Sequence, residues 1–229
     1  MTEDKKNILL VGSQAVTSSL AKKLSESDDV GEIFVTSSDL EEFEFCKKID
    51  LREDDLTGLL KFVLENDISL TIPVSEKALK SDIVSFFTSN GQDIFGSCAQ
   101  ACNFAINKAS GKKFLHKIHA QTSKFLVAEK IQQAIEWLRG AKFPVVIKCC
   151  ETSLKDDRLV CPTMKIASEF CDKLFNSGES AVLLEEYTYG HNFTVYYLTD
   201  GYSAVPITSV GNYKFMQDGD GSIGVKSLE

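Results

Sequence analysis

The sequence has no long hydrophobic run, no basic tract and no Cys-x-x-Cys motif, and each absence removes a class of protein. Met1 is followed by Thr2-Glu3-Asp4-Lys5-Lys6, and the first apolar stretch, Ile8 to Val11, is too short for a signal-peptide core or a membrane span. The expected compartment is therefore the cytoplasm, with no membrane partner. The net charge is -8, and the basic clusters are as short as Lys22-Lys23 and Lys112-Lys113. No stripe tracks a phosphate backbone, so nucleic acid is not an expected partner. The 7 cysteines, at 46, 98, 102, 149, 150, 161 and 171, are odd in number and contain no Cys-x-x-Cys. That pattern fits neither a disulfide framework nor a zinc site, and it predicts reduced, mostly buried thiols. Asn192-Phe193-Thr194 has the pattern of a glycosylation acceptor, but that mark belongs to secreted chains.

Glycine is also missing where two familiar ligand loops need it. Gly12 follows the first apolar run, yet Ser13-Gln14-Ala15-Val16-Thr17 lacks the further glycines that let a backbone approach a pyrophosphate. A nicotinamide cofactor is disfavoured, although a helix opening near Ser13 still presents backbone N–H groups to an anion. Asp218-Gly219-Asp220 starts like a calcium loop, but no glutamate follows at the required distance.

What is present is a regular succession of elements. At 229 residues the chain is long enough for two or three small domains, each with its own core. Asn7 to Val11 reads as a strand, Leu20 and Leu24 repeat at helical spacing, and Glu32 to Thr36 reads as the next strand. Leu56, Leu59, Leu60 and Val63 mark a helix, Ser69 to Val74 a strand, and 79, 83, 86 and 87 a helix opening at Glu76. With a short strand from Asp93 to Phe95, this predicts a doubly wound parallel sheet over residues 1–98. Ala99 to Asn107 and Lys112 to Ala120 predict a helical bridge, 99–120, with Gly111 between its two helices.

Beyond the bridge the order is strand (123–127), helix (129–139), strand (145–148), strand (159–161), helix (165–175) and strand (181–185). This β-α-β-β-α-β order is a split βαβ sandwich, and it predicts a small α+β domain over 121–186. From 187 to 229 the alternation in Phe193 to Leu198, the Asp200-Gly201 turn and Ser203 to Thr208 predict an antiparallel hairpin, followed by a flexible loop over 218–224.

Two charged positions stand out within the sandwich. Lys148 ends an otherwise apolar strand, and an ammonium there must reach solvent or find an anion. Taken singly it is a snorkelling lysine, and Glu185-Glu186 is a solvated strand end. Together, on strands of one small sheet separated by a single helix, they suit a nucleotide, with lysine to the phosphates and the backbone after the glutamates to the adenine edge.

Several segments in this order carry a family resemblance. They are Asn7-Ile8-Leu9-Leu10-Val11-Gly12-Ser13, Ser69 to Leu79, Ile94-Phe95-Gly96, Gly111-Lys112-Lys113-Phe114, Val145-Val146-Ile147-Lys148, Leu184-Glu185-Glu186-Tyr187, Tyr213-Lys214 and Asp218-Gly219-Asp220. Across nearly the whole chain the sequence resembles the ATP-grasp superfamily, and within it the glycinamide ribonucleotide synthetases (phosphoribosylamine–glycine ligases). The resemblance implies an N-terminal domain, a small lid domain and the beginning of a large ATP-grasp domain. It implies amide formation in purine biosynthesis, in which Mg-ATP phosphorylates a carboxylate and an amine attacks the acyl phosphate. Lys112 and Lys148 would contact the phosphates, with Lys155 placed to add a contact. Glu185, Glu186 and the backbone of Tyr187 and Thr188 would bind adenine, while His191 or Asn192 falls at the ribose position. Gly12, Ser13, Glu76 and Lys214 would face the small-molecule substrate. The Mg2+ ligands of the family, a glutamate and an asparagine, are expected beyond Glu229.

The departures are as informative. The glycine-rich lid loop of the family is replaced by Cys149 to Arg158, which contains no glycine, and the stretches serving phosphoribosylamine and glycine become Gln14-Ala15-Val16-Thr17 and Asn212-Tyr213-Lys214-Phe215. The amine and carboxylate are therefore left open. Two functional classes remain: the N-terminal portion of an ATP-dependent carboxylate–amine ligase, or a non-catalytic nucleotide-binding or protein-interaction relative without the metal site.

Overall fold

The computed structural model describes residues 5–12, 15–36, 44–150 and 158–212. The chain divides into two compact units, Met1–Ile106 and Asn107–Glu229.

The first unit is built on a parallel sheet of β1 (Lys6–Val11), β2 (Val30–Thr36), β3 (Lys47–Ile49) and β4 (Ile68–Pro73), in the order β3-β2-β1-β4. Successive side chains on a strand point to opposite faces, and β1 is apolar on both. Ile8 and Leu10 pack with Ala21, Leu20 and Leu24 of α1 (Ala15–Ser25). Leu9 and Val11 pack on the other side with Leu59 and Val63 of α2 (Leu56–Glu65) and with Ile83 and Phe87 of α4 (Ile83–Ser89). Helices thus cover both faces of a doubly wound sheet. The strand order reverses between β1 and β4, so their C-terminal ends frame the crevice where such sheets take ligands.

Three local details differ from the sequence reading. The helix opening at Glu76 is two helices, α3 (Glu76–Lys80) and α4, because Asp82 adopts a left-handed backbone (φ 60°) between them. The Asp82 carboxylate accepts from Ser85 Oγ at 2.8 Å and from the Ala99 N–H at 3.3 Å, which ties the break to the start of α5 (Ala99–Ile106). The apolar spacing runs through the break and conceals it. The strand expected from Asp93 to Phe95 is a single parallel bridge from Ile94 to Thr71, and β3 is an additional edge strand.

The two helices expected as a bridge fall on either side of the division, with α5 in the first unit and α6 (Lys108–Lys117) in the second. α6 begins at Lys108 rather than Lys112 because Asn107 caps it, its side chain accepting from the Ser110 N–H at 2.9 Å. Gly111 therefore lies inside the helix.

The second unit holds β5 (Phe125–Ala128), α7 (Ile131–Gly140), β6 (Val145–Cys149), β7 (Arg158–Cys161), α8 (Met164–Asn176) and β8 (Val182–Glu186). The strands form an antiparallel sheet in the order β5-β8-β6-β7. One face is closed by Ala134 and Leu138 of α7 and by Ala167, Phe170, Cys171 and Leu174 of α8, packed on Val145, Ile147, Val182 and Leu184. On the opposite face Leu183, Phe125 and Val127 meet Ala109 of α6. β9 (Asn192–Thr199) and β10 (Ala204–Asn212) form the antiparallel hairpin, with Gly201 at φ 89° in its turn. The loop expected over 218–224 lies outside the described residues. Among the described residues no helix is long and apolar enough to cross a membrane.

All seven cysteines are free; Cys102, Cys149, Cys150, Cys161 and Cys171 are buried, and Cys98 is exposed. Burial raises the thiols of Cys150 and Cys161 from 9.0 to about 11, and that of Cys171 to about 12. The folded chain holds these protons more tightly than the unfolded chain, so their contribution is complete below pH 9.0 and is lost as pH rises through 11 to 12. Near-ultraviolet circular dichroism with denaturant should show stability falling as pH rises above 9.0. A thiol reagent at neutral pH should modify Cys98 well ahead of the five buried cysteines; equal rates at Cys98 and Cys171 would contradict this picture.

Candidate nucleotide site

Strand alternation decides which side chains share the α6 face of the second sheet. On β6, Val145, Ile147 and Cys149 go to the α7 and α8 core, which leaves Lys148 on the other side. On β8, Val182 and Leu184 go to the same core, which leaves Leu183 and Glu185 on the side of Lys148. Lys148 pairs with Leu183 and Val146 with Glu185, so Lys148 and Glu185 are diagonal neighbours. Their side chains meet at 2.8 Å, Lys148 Nζ donating to Glu185 Oε2. Lys112 lies one turn after the buried Ala109 on α6, and its Nζ is 3.3 Å from Glu185 Oε1. Each carboxylate oxygen faces its own ammonium.

The cluster is shielded from water without being sealed. The side chain of Glu185 is 7% exposed, against 16% for Lys112 and 25% for Lys148. Lys112 also donates to Thr122 Oγ1 at 2.5 Å and Ser123 Oγ at 3.0 Å, and it stands 5.9 Å from the Phe125 ring centroid. Two ammoniums against one carboxylate leave an excess of one positive charge where screening is weak. Glu185 Oε1 is buried and makes an ion pair but no hydrogen bond, so the set is not internally complete. Such a site attracts an anion. Just beyond β6, burial is the main cause that raises the Cys150 thiol, followed by the negative charge of Glu179, with Lys108 and Lys113 of α6 opposing it more weakly.

The other predicted residues are distributed as follows. Glu186 alternates away from Glu185, stands 3.6 Å from Lys124, and donates its N–H to the Lys124 carbonyl at 3.0 Å. Tyr187 is half-buried and meets Tyr189 edge to face at 4.8 Å. Thr188, His191 and Asn192 are exposed on the segment from β8 into β9. Lys155 lies outside the described residues, as do Ser13 and Lys214. In the first unit Gly12 and Glu76 sit at the C-terminal ends of β1 and β4. A Cβ on Gly12 would come within 2.8 Å of Val74 Cγ2 and 3.3 Å of the Ser75 nitrogen, so only glycine fits there. Glu76 is exposed and pairs with Lys80 at 2.6 Å. Among the described residues no group of three or more His, Cys, Asp or Glu side chains is gathered to hold a metal ion. Sequence reasoning missed Thr122 and Ser123, whose only signal is a pair of hydroxyls leading into β5.

A doubly wound parallel unit joined to a split βαβ sandwich is the architecture of the ATP-grasp enzymes. The fold is shared by phosphoribosylamine–glycine ligase from Thermotoga maritima, with a TM-score of 0.68 at 16% identity, covering 95% of this chain and 53% of that one. It is shared equally by N5-carboxyaminoimidazole synthetase from Staphylococcus aureus, solved with ADP, with a TM-score of 0.70 at 14% identity, covering 95% of this chain and 57% of that one. The family models for phosphoribosylglycinamide synthetase match consecutively, the N domain over residues 6–104 and the ATP-grasp (A) domain over residues 106–225. The chain belongs to the phosphoribosylglycinamide synthetase family. It is 26% identical over 220 residues to phosphoribosylamine–glycine ligase of Clostridium acetobutylicum, covering 93% of this chain and 52% of the relative. The chain spans about half the length of the curated relatives it matches.

Proposed function

We propose that this chain binds ATP as the N-terminal portion of an ATP-dependent carboxylate–amine ligase of the purine-biosynthesis type. The observation that carries the reading is the meeting of Lys112 and Lys148 on one shared carboxylate, Glu185, with an unbalanced positive charge. A polyphosphate complements that charge, and the incomplete hydrogen bonding of Glu185 Oε1 leaves room for the set to rearrange around it. Lys112 and Lys148 would hold the phosphates, with Lys155 as a further contact. Glu185 keeps both ammoniums together on the α6 face of the sheet. Tyr187 and Thr188 offer backbone to the adenine edge, Glu186 closes the end of the strand, and His191 or Asn192 takes the ribose. ATP supplies the phosphoryl group that activates a carboxylate, and positioned lysines stabilise the charge on that group. Mg2+ belongs to the same chemistry. Gly12, Ser13 and Glu76 are the proposed substrate contacts of the first unit, Lys214 is a separate proposed contact, and the proposed compartment is the cytoplasm.

Lys148→Ala is the direct test. A hydrogen bond to a charged group contributes about 1.5–3 kcal/mol, so ATP should bind about ten- to a hundredfold more weakly by calorimetry. Folding should survive, because Lys112 remains to face Glu185. Unchanged ATP affinity would remove Lys148 from the site.

A further inference from the structure

The Lys112 ammonium carries three hydrogens and meets three oxygens. Two of them, Thr122 Oγ1 at 2.5 Å and Ser123 Oγ at 3.0 Å, are neutral hydroxyls from the segment between α6 and β5. The third, Glu185 Oε1 at 3.3 Å, is charged and lies outside hydrogen-bonding geometry. Hydroxyl partners fix the ammonium without cancelling its charge, whereas a second carboxylate would neutralise it. A free lysine side chain has several rotatable bonds to immobilise when it meets a phosphate, and here that freedom is already removed. The Phe125 ring, 5.9 Å away, bounds the same ammonium on another side. Lys148 differs in having Glu185 as its hydrogen-bond acceptor.

We propose that Thr122 and Ser123 are positioning residues for Lys112, holding its charge ready for the phosphate chain of a nucleotide; this rests on the nucleotide reading above. Their contribution then belongs to the phosphates and not to the nucleoside. It makes the site selective for ATP and ADP over adenosine. It also separates these hydroxyls from groups that merely support the fold, which would affect all three ligands alike.

The test compares the dissociation constants of ATP, ADP and adenosine for the full chain, its T122V/S123A double variant, T122S and Lys148→Ala, with a melting curve for each. Expected are an approximately tenfold loss of ATP and ADP affinity in the double variant, unchanged adenosine binding, a melting point close to that of the parent, and recovery in T122S. If Lys148→Ala weakens ATP while the double variant leaves it unchanged, the nucleotide site stands and the positioning role is overturned. If ATP and adenosine weaken together, the hydroxyls are structural and the proposal is equally overturned. If neither variant changes ATP binding, the site itself fails and the positioning role with it. Should the double variant not fold, Ser123→Ala alone gives the same comparison, with a loss of a few-fold confined to ATP and ADP expected and no loss overturning the role.

Discussion

Glu185→Ala is expected to destabilise the second unit by about 3 kcal/mol, at the lower end of the range for removing one partner from a buried ion pair. The lower end applies because the lysines retain some solvent, at 16% and 25% side-chain exposure. The loss comes from what remains: two ammoniums brought together on one sheet face with no anion between them. Replacing Glu185 by Leu together with Lys148 by Met should recover most of the stability, since an apolar pair of similar volume often replaces a buried ion pair at little cost. Nucleotide binding should be lost in that double variant all the same. Guanidinium unfolding checks the first statement and calorimetry the second. A Glu185→Ala chain as stable as the parent would show that the cluster is solvated and carries no buried charge.

Phe87→Ala should cost about 3–5 kcal/mol, the usual range for deleting a buried aromatic ring, and the loss should fall on the first unit. Phe87 is fully buried among Leu9, Val11, Leu59, Val63 and Ile83. A domain's whole stability is about 5–15 kcal/mol, so this is a large share. The core around Phe87 contains no residue of the second unit, while the single tryptophan, Trp137, packs against the other core. Tryptophan fluorescence therefore reports the second unit alone. In Phe87→Ala the far-ultraviolet transition should move to lower denaturant while the fluorescence midpoint holds, and in Glu185→Ala the fluorescence midpoint should move. Coincident shifts in both variants would mean that the two units unfold as one.

Much of the architecture was legible because the apolar periodicity is strong. β1 is a continuous apolar run since both its faces are covered, and α8 shows its amphipathic stripe from Ile166 to Leu174. Where periodicity and backbone disagree, periodicity misled: residues 79, 83, 86 and 87 keep helical spacing across the left-handed Asp82. Gly111 has the look of a break in the sequence because the cap at Asn107 is a single side-chain hydrogen bond that leaves no mark on the periodicity. In the site, Lys148 and Glu185 were visible as charges at the ends of apolar strands. Their approach follows from the pairing of β6 with β8, which sequence order alone does not state. Thr122 and Ser123 carry no such mark, since two hydroxyls before a strand look like any loop.

The strand order β5-β8-β6-β7 also sets a timetable for synthesis. β8, the interior strand that pairs with both β5 and β6, is the last of the four to leave the ribosome. Glu185 follows Lys148 by 37 residues, an interval of about two to seven seconds at ordinary translation rates. Until it arrives β5 has no sheet partner, and both lysines stay in water where their charge costs nothing. The first unit, complete by Ile106, can close on its own core in the meantime. Desolvation of the two ammoniums is thereby deferred until the carboxylate that compensates them has been made.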